Sequence, residues 1–470
     1  MTILKQNSQY LAIFFSIITY FFFAYFLERT QFYTFSFLWL FLFGCFYAII
    51  KNKHISFKNL VGISILFRLI FLFAIPRLSQ DFYRFIWDGR MILEGFNPYL
   101  SLPETFIQQS LTPIADTNIL YAGMGELNGS HYTNYPPLNQ LCFFIAALFA
   151  SKSIFGSVII LRIFIILADI GILYFGKKLL ENLKLPVKNI FWYILNPFVI
   201  LEMTGNLHFE SVMLFFLVFA LYKLYQRKWI FAALLLACSI SVKLIPLLFL
   251  PLFFKWFTKY FPAYGDHNTL SVRAQSRTKK QLINFKGILK LMGFYIIIIS
   301  TTIILFLPFY SIELFRNYTN SVGLWFRSFE FNASFYYLFR EIGYLFRGYN
   351  EIAIIGKITP ILTILFLIIL TFFRKNNSFK QLITTLLFGL CFYYFTATTV
   401  HPWYLATPLI LSVFTKYKFP VVWTLVIFLS YQAYANEPWQ ENLWFVFAEY
   451  LLLFSFLCFE IYQSYNLKKL

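Results

Sequence analysis

Residues 10–27 read YLAIFFSIITYFFFAYFL, a run without a single charged side chain. A helix of this length can cross the hydrocarbon core of a bilayer, which is about 30 Å thick. A similar run, KITPILTILFLIILTFF, occupies residues 357–373. Because a helix satisfies its own backbone hydrogen bonds in lipid, these runs predict membrane-spanning helices.

The composition of the whole chain agrees with this prediction. Of 470 residues, 60% are hydrophobic and only 13% are charged, whereas an ordinary soluble domain is about 25% charged. The first apolar run is too long for a signal-peptide core and no small-x-small cleavage site follows it, so we expect it to stay as the first span. The five cysteines lie in apolar stretches without metal-type spacing, which predicts that they serve packing. We predict an all-α polytopic membrane protein that forms one integral membrane domain over 1–470.

The apolar runs predict a bundle of roughly 13–14 transmembrane helices. The run 229–257 is long and contains Pro246 and Pro251, so we interpret it as two short helices that turn back on each other. The predicted spans are 10–27, 35–50, 58–77, 156–176, 188–203, 208–226, 229–257, 286–308, 351–373, 379–398, 402–415, 419–434 and 442–463.

The distribution of charge predicts the orientation. With the N-terminus inside, the internal segments hold 26 basic and three acidic residues, and the rest of the chain holds 13 basic and 17 acidic residues. This is the positive-inside asymmetry of membrane proteins, and it predicts that both termini are cytoplasmic. The basic loop 258–285 is then a solvated cytoplasmic anchor, and we expect membrane lipids but no nucleic acid as partners.

The same orientation predicts two long polar loops on the outer face, 79–155 and 310–350, with short turns at 203–208, 399–402 and 435–441. Within the first loop, residues 135–152 predict a helix that lies along the outer interface. The second loop contains FEFNASFYYLFR at 329–340. These aromatic residues either roof a site and stack on sugars or form an interfacial aromatic belt.

The first outer loop begins with SQDFYRFIWDGR at residues 79–90. Ser79 can cap a helix, and on that helix Asp81, Arg84 and Asp88 share one face. A neighbouring stripe contains Tyr83, Trp87, Arg90 and Glu94. One interpretation is an ion-pair ladder on a short interfacial helix. The other is a site for a substrate that is half lipid and half polar, since guanidinium groups bind phosphate bidentately and a carboxylate can deprotonate a hydroxyl.

Several stretches together resemble a known family. They are SQDFYRFIWDGRMILEGFNPYL at 79–100, NYPPL at 134–138, LNPFVILEMTGNLHFESVML at 195–214, SVKLIPLLFLP at 241–251 and HPWYL at 401–405. In this order they resemble GT-C glycosyltransferases, in particular bacterial polyprenol-phosphate-mannose-dependent mannosyltransferases, and more distantly the first mannosyltransferase of GPI-anchor synthesis. The motifs are short, and their ordered co-occurrence over most of the chain carries the resemblance.

The resemblance implies roles for particular residues. An acidic residue at the Asp81 position is the candidate catalytic base of that family. Many members have an acidic pair there, whereas this chain has Gln80, so a divalent cation is left open and metal ligands are unknown. We expect the donor phosphate to be bound by Arg84, Arg90 and Lys243. Substrate-binding or supporting roles are expected for Tyr83, Asp88, Tyr135, His208, Glu210 and His401.

Each of these residues also has a simpler interpretation. Lys243 is an uncompensated charge in an apolar hairpin, which is costly, but it could snorkel to the interface. His208 and Glu210 could cap a helix or bind a metal or an acceptor sugar, and His401 could be packed. Arg162 and Asp169, seven residues apart, are expected to pair inside the bundle.

The predicted function is transfer of a sugar from a polyprenyl-phosphate donor to a glycan or lipid-linked acceptor. The resemblance implies mannose as the sugar and a single inverting displacement as the reaction, while arabinose, glucose and galactose remain alternatives. We expect the protein in a bacterial inner (cytoplasmic) membrane with its active site on the periplasmic or outer face. The alternative is a transporter or flippase of a lipid-linked or anionic solute, and a third is a non-catalytic membrane scaffold.

Overall fold

A computed structural model describes residues 2–260, 284–327, 329–376, 378–436 and 439–466. In these ranges the chain is helical and contains no β-strand, only one isolated bridge between Phe331 and Thr399. The predicted fold class, an all-α polytopic membrane protein, is therefore confirmed. Most of the basic loop 258–285 lies outside the described residues.

The described ranges contain 21 α-helices. They are α1 (Thr2–Tyr25), α2 (Phe32–Lys51), α3 (Phe57–Leu69), α4 (Asp81–Leu93), α5 (Pro103–Gln108), α6 (Thr117–Gly129), α7 (Pro137–Ala150), α8 (Ile154–Asn182), α9 (Phe191–Ile194), α10 (Pro197–Val199), α11 (Glu210–Tyr225), α12 (Trp229–Val242), α13 (Phe254–Tyr260), α14 (Phe285–Phe306), α15 (Ile312–Arg327), α16 (Phe335–Arg347), α17 (Ile352–Phe372), α18 (Phe379–Thr396), α19 (Ala406–Val413), α20 (Phe419–Val426) and α21 (Leu443–Asn466).

Tighter or wider helical turns extend or join several of these helices. The 3₁₀ segments are Val187–Ile190, Ile245–Phe253, Leu307–Phe309, Pro402–Leu405 and Ile427–Ala435, and a π-helix covers Ile200–Gly205. Most of the 3₁₀ segments begin at or contain proline, which lacks the N–H that a continuous α-helix needs. Several predicted spans are therefore built from two shorter pieces.

Five helices are long and apolar enough to cross a membrane. They are Phe32–Lys51, Ile154–Asn182, Phe285–Phe309, Ile352–Phe372 and Leu443–Asn466. A sixth span results if the bent pair Pro197–Gly205 and Glu210–Tyr225 is one crossing. Shorter apolar helices cover Gln9–Tyr25, Pro137–Ala150, Trp229–Val242, Pro402–Val413 and Phe419–Ala435. The chain is an integral membrane protein, and the expected 13–14 crossings stay a prediction.

The predicted hairpin at 229–257 is confirmed by its contacts with α14. A Cβ atom at Gly293 would lie 3.1 Å from the ring of Trp229, at the start of the segment. The Phe257 ring, at the end of the segment, packs 5.1 Å from the neighbouring Phe294 ring. Both ends therefore lie against the same turns of α14, and the chain reverses direction at Lys243, whose backbone is extended.

Two local predictions about the first outer loop are wrong. The predicted span 58–77 is helical only to Leu69, after which the chain turns. Helix α4 begins at Asp81 as expected, and although Gln80 occupies the N-cap position, it is the Ser79 hydroxyl that accepts a 3.3 Å bond from the Asp81 N–H. This helix is also mostly buried in the bundle rather than lying along an interface, because it packs against α6, α7 and α8. The lack of a side chain at Gly89 lets α4 approach the backbone of Phe143 in α7.

The predicted pair Arg162–Asp169 does not form. Asp169 instead accepts a 2.8 Å bond from Arg68 Nε and a second bond from the Ser211 hydroxyl. This buried ion pair joins α3, α8 and α11. Sequence spacing places both residues of the expected pair on one helix face, but neighbouring helices supply better-placed partners for each of them.

Candidate active site

A cavity of about 550 Å³ opens where the start of α4 meets the start of α11 and the tip of the 229–257 hairpin. One side of its wall is polar and comes from the first 245 residues. The other side is aromatic and comes from residues beyond 320. Asp81, Arg84, Tyr135, Glu210, Lys243 and His401 line this cavity, so the fold brings together six of the ten predicted site residues.

Asp81 is the first residue of α4, and its side chain is 21% exposed. The positive end of the helix dipole favours a carboxylate at this position. Burial nevertheless raises the pKa of Asp81 to about 6, an effect that Lys243 and Arg29 oppose and Glu210 reinforces. A carboxyl group with such a pKa can accept and release a proton near neutral pH, as general-base catalysis requires.

The segment 196–209 supplies no lining residue, but its helix is broken and its His208 lies against Asp81, which does line the cavity. Asn196 caps the helix that begins at Pro197 by accepting a bond from the Phe198 N–H. The helix widens into the π-helix, and Leu207 then adopts a positive φ of 63°. The chain bends by 116° before α11 begins at Glu210. π-Helical turns are frequent at functional sites, where they re-aim side chains.

Arg162 holds this break in place. Its buried guanidinium donates to the carbonyl oxygens of Thr204, at 2.8 Å, and Gly205, at 3.2 Å. A third bond, of 3.1 Å, goes to the carbonyl of Leu72. Carbonyl groups at a helix end need such partners in a membrane, where water is scarce. We therefore interpret Arg162 as a structural residue of the site.

His208 lies between two carboxylates. Its Nδ1 is 3.9 Å from Asp81 Oδ2, and its Nε2 is 3.5 Å from Glu202 Oε2. Glu202 is buried and also accepts bonds from Asn206, at 3.2 Å, and from the Tyr431 hydroxyl. His208 itself does not line the cavity, so it supports Asp81 from behind.

The residues near Asp81 do not converge on one point as metal ligands do. His208 separates Asp81 from Glu202, and Glu210 forms an ion pair with Lys243. Throughout the described ranges, no group of three or more His, Cys, Asp or Glu residues is arranged to hold a metal ion.

Lys243 is the tip of the hairpin and points into the cavity. Its ammonium group pairs with Glu210 at the start of α11, and Glu210 Oε2 has no hydrogen-bond partner among the described residues. The Lys243 side chain is 19% exposed, so its ammonium group is accessible from the cavity to an anionic ligand. The predicted snorkelling of Lys243 to a membrane interface is not needed to explain its position.

The two predicted phosphate-binding arginines of α4 are engaged elsewhere. Arg84 borders the cavity, but its guanidinium donates to Asp88 at 2.8 Å and to the carbonyls of Asn128 and His131. Arg90 lies outside the cavity, where it is buried and donates to Ala115, Asp116 and Lys152. Both residues hold the first outer loop together. Tyr83 and Asp88 also lie outside the lining, Tyr83 against Gly123 and Asp88 between Arg84 and Gln140.

The aromatic wall is a series of stacked rings. The Trp403 ring stacks on His208 at 3.9 Å and on His401 at 4.5 Å between ring centroids. His401 stacks in turn on Phe331, at 5.1 Å, and Phe331 packs 5.7 Å from Trp439. The aromatic residues of 329–340 therefore fall into two groups. Phe329 and Phe331 line the cavity, whereas the aromatic residues of α16 lie outside its lining, with Phe335 and Phe339 exposed and Tyr336 and Tyr337 buried.

Sequence analysis missed Arg29, which lies in the turn between α1 and α2. Its guanidinium donates to the Gln80 side chain at 3.2 Å and stacks over the Tyr434 ring, and it lines the cavity near Asp81. It also missed Tyr434 and Trp439, from the turn after α20. A basic residue in the short turn between the first two apolar runs was the available sequence signal for Arg29.

The fold and this cavity define a class of protein. It is an integral membrane protein whose helices enclose a site large enough for a sugar, and this site contains a carboxyl group of raised pKa, Asp81, and a lysine in an ion pair, Lys243. Residues 18–258 match the family model described as alpha-(1->6)-mannopyranosyltransferase, N-terminal domain. This match covers more than half of the chain, so the chain belongs to that family, and it is an integral membrane mannosyltransferase. No curated protein matches the chain, and no solved structure does.

Proposed function

We propose that this protein is a GT-C-type enzyme that transfers mannose from a polyprenyl-phosphate donor to a glycan or lipid-linked acceptor at the outer face of the membrane. The observation that carries the proposal is the meeting of Asp81 and Lys243 in one cavity of a helical membrane protein. A lipid-linked donor suits this place, since its isoprenoid tail can stay in the bilayer while its sugar phosphate enters the cavity.

The reaction is a single displacement. Asp81 accepts the proton of an acceptor hydroxyl, and the hydroxyl oxygen forms a bond to the anomeric carbon of mannose. The bond between that carbon and the phosphate oxygen breaks, and polyprenyl phosphate leaves with the electron pair. Asp81 returns its proton to solvent or to the departing phosphate. His208 packs behind Asp81, with its Nδ1 3.9 Å from the carboxylate.

Lys243 binds the donor phosphate in this mechanism. Its positive charge offsets the charge that develops on the leaving phosphate oxygen, which is an electrostatic contribution to the transition state. Arg29 is the second cation on the Asp81 side of the cavity and takes the role that sequence analysis gave to Arg90. Arg84 positions the loop around the site through its carbonyl bonds.

The stereochemistry leads to a specific expectation. The family description contains an α-(1->6) linkage. An inverting displacement forms an α linkage only from a β-linked donor, because the nucleophile attacks opposite the leaving group. A β-linked mannosyl phosphate should therefore be a substrate, and its α anomer should be inert.

The donor test uses purified protein in liposomes with a mannose-oligosaccharide acceptor. We expect label transfer from polyprenyl-phosphate-β-mannose and none from GDP-mannose. Transfer from GDP-mannose alone would refute the donor assignment. If neither donor gives transfer, the same vesicles loaded with labelled lipid-linked mannose test the transporter alternative, since a flippase would move the label between leaflets.

The outer-face assignment needs its own test. Glu94 and Arg227 are both exposed, and the predicted topology places them on opposite sides of the membrane. A cysteine at Glu94 should react with a membrane-impermeant maleimide in intact cells, and a cysteine at Arg227 only after permeabilisation. The unsubstituted protein controls for the five native cysteines. The reverse pattern would place the site on the cytoplasmic face.

A further inference from the structure

Helix α16 turns its apolar side away from the protein. Six hydrophobic residues recur at the spacing of one helix face, and every one of them is exposed. We call them the apolar face of α16: Phe335, Leu338, Phe339, Ile342, Leu345 and Phe346. Leu345 and Phe346 are 84% and 82% exposed. A helix on a water-covered surface orients such a stripe towards the core, so this helix is arranged in the opposite way.

The polar side of α16 is the one that packs against the rest of the protein. Tyr336 and Tyr337 are buried, and the Tyr337 hydroxyl donates to the Glu441 carboxylate. On the same side, Arg340 pairs with Glu330 at 3.2 Å. These contacts fix the rotation of the helix about its own axis. The outward direction of the apolar face is therefore built into the fold.

Glu441 connects α16 to the aromatic wall of the cavity. Besides the bond from Tyr337, its carboxylate accepts a 2.7 Å bond from the Asn332 N–H. Asn332 directly follows Phe331, and Glu441 lies two positions after Trp439. Phe331 and Trp439 both line the cavity. The position of α16 therefore bears on the position of this wall.

The apolar face also continues the exposed surface of the next helix. The chain turns at Gly348, where φ is 77°, and α17 begins at Ile352 as one of the five helices that can cross a membrane. A Cβ atom at Gly343 would lie 3.2 Å from Glu351 Cγ, so α16 packs against the start of α17. Exposed residues recur along α17 at helical spacing: Ile354, Ile358, Ile361 and Leu365. On a spanning helix, such residues contact acyl chains.

We propose that α16 lies within the membrane leaflet on the side of the cavity, with its apolar face among the acyl chains and its polar side holding the aromatic wall. The partner of this surface is the lipid bilayer rather than a second protein. Because α16 packs on the first turn of a spanning helix, lipid is present beside it without any further partner. This placement does not depend on the sugar or the donor that the enzyme uses.

The charges of α16 agree with a position just below the lipid headgroups. Glu341 and Arg347 are exposed, and helical geometry places them on the two flanks of the apolar face rather than within it. Tyr344 and Tyr349 are exposed near the same end of the helix. Headgroups accommodate charges and tyrosine hydroxyls, whereas the acyl chains accommodate the apolar face.

Spin-label accessibility in liposomes tests this placement. Cys458 is the native cysteine that the described structure leaves exposed, so labels are attached in a Cys458→Ser background. The full chain, in vesicles of phosphatidylethanolamine and phosphatidylglycerol, carries one label, at Leu338→Cys or at Phe346→Cys. Two relaxation agents are present on both sides of the bilayer: oxygen, which concentrates among acyl chains, and a nickel chelate, which stays in water.

Glu341→Cys is the matched control, because Glu341 is exposed on a flank of the same helix. We expect the ratio of oxygen to nickel collision rates to be several-fold higher at Leu338→Cys and Phe346→Cys than at Glu341→Cys. Nickel collision rates as high as those of the control would place the apolar face in water and overturn the proposal. Immobilised labels that neither agent reaches would also overturn it, because they indicate a covering protein, either a second copy or another partner.

A charged variant tests whether the bilayer holds the helix in place. Leu345→Asp combined with Phe346→Asp changes two highly exposed side chains. We expect the label at Leu338→Cys to become several-fold more accessible to nickel in this variant, because carboxylates are costly among acyl chains. Leu345→Ile with Phe346→Leu should leave the label unchanged, and thermal unfolding in detergent checks that both variants keep the fold.

An unchanged label environment in the aspartate variant would refute the role of the apolar face as a membrane anchor. None of these measurements involves sugar transfer. Their failure is therefore distinguishable from a failure of the proposed function.

Discussion

The two walls of the cavity differ in the part of the chain that builds them and in their chemistry. The polar wall, with Asp81, Glu210 and Lys243, lies inside the family match at 18–258. The aromatic wall, with Trp403 and Trp439, lies beyond it. Charged side chains contribute most to catalysis where the charge of the reacting atoms changes. Aromatic rings instead bind a ligand through the fit of its shape. The residues to which we assign the reaction therefore lie within the matched half of the chain, and aromatic residues of the second half complete the cavity.

The strongest test of the polar wall is Asp81→Asn. An amide cannot accept the hydroxyl proton, so we expect kcat to fall about 10²–10⁴-fold, the usual contribution of a general base. The measurement is transfer from the lipid-linked donor in liposomes. Asp116→Asn is the control, since Asp116 is an acidic residue of the same outer loop that pairs with Arg90 away from the cavity. Near-normal kcat in Asp81→Asn would remove this residue from the mechanism.

A second prediction concerns what holds the polar wall in place. Asp169→Asn leaves the buried charge of Arg68 without its partner, and we expect a loss of about 3–5 kcal/mol of stability, the usual cost of breaking a buried pair. Thermal or denaturant unfolding in detergent measures this loss. Glu181→Gln, which breaks an exposed pair with Lys177, should cost about 0–1 kcal/mol. Equal losses would show that the buried pair does not stabilise the fold.

Lys243→Met tests the electrostatic role of the hairpin tip. Removing one preorganised positive group from a site of developing negative charge should lower kcat about 10²–10³-fold. Lys243→Arg should recover part of the rate, because it keeps the charge. The control is Lys152→Met, an exposed lysine of the first outer loop that does not line the cavity. If both methionine variants were equally active, the phosphate would be bound elsewhere.

The pH dependence of the wild-type enzyme gives the smallest of these effects. Burial raises the pKa of Asp81 to about 6, and only the ionised form accepts a proton. Transfer should therefore be constant well above pH 6 and fall tenfold per unit below it. In Asp81→Glu, any remaining activity should show a shifted acid limb. An acid limb that stays at pH 6 in this variant would assign the titration to another group.

Much of the polar wall could be predicted from sequence because its signals are local. Asp81 at a helix start and Lys243 at the proline-flanked hairpin tip both follow from neighbouring residues. The roles of Arg84 and Arg90 could not be predicted in this way. Both could bind phosphate in principle, but the carbonyl groups that occupy them belong to residues 25–62 positions away in the chain. The partners of Arg162 could not be predicted either, because the Thr204 carbonyl that it binds is also distant in the chain.

By itself, the sequence determined the all-helical membrane fold, the family and the position of the candidate base, because hydropathy, charge asymmetry and short motifs depend on residues near one another in the chain. Only the tertiary structure decided which charges face the cavity and which serve the framework. It also stacked His208 on Trp403 and Phe331 on His401, although up to 195 residues separate these partners. Such contacts depend on how helices pack, and a buried polar group takes whichever partner the packing places nearest.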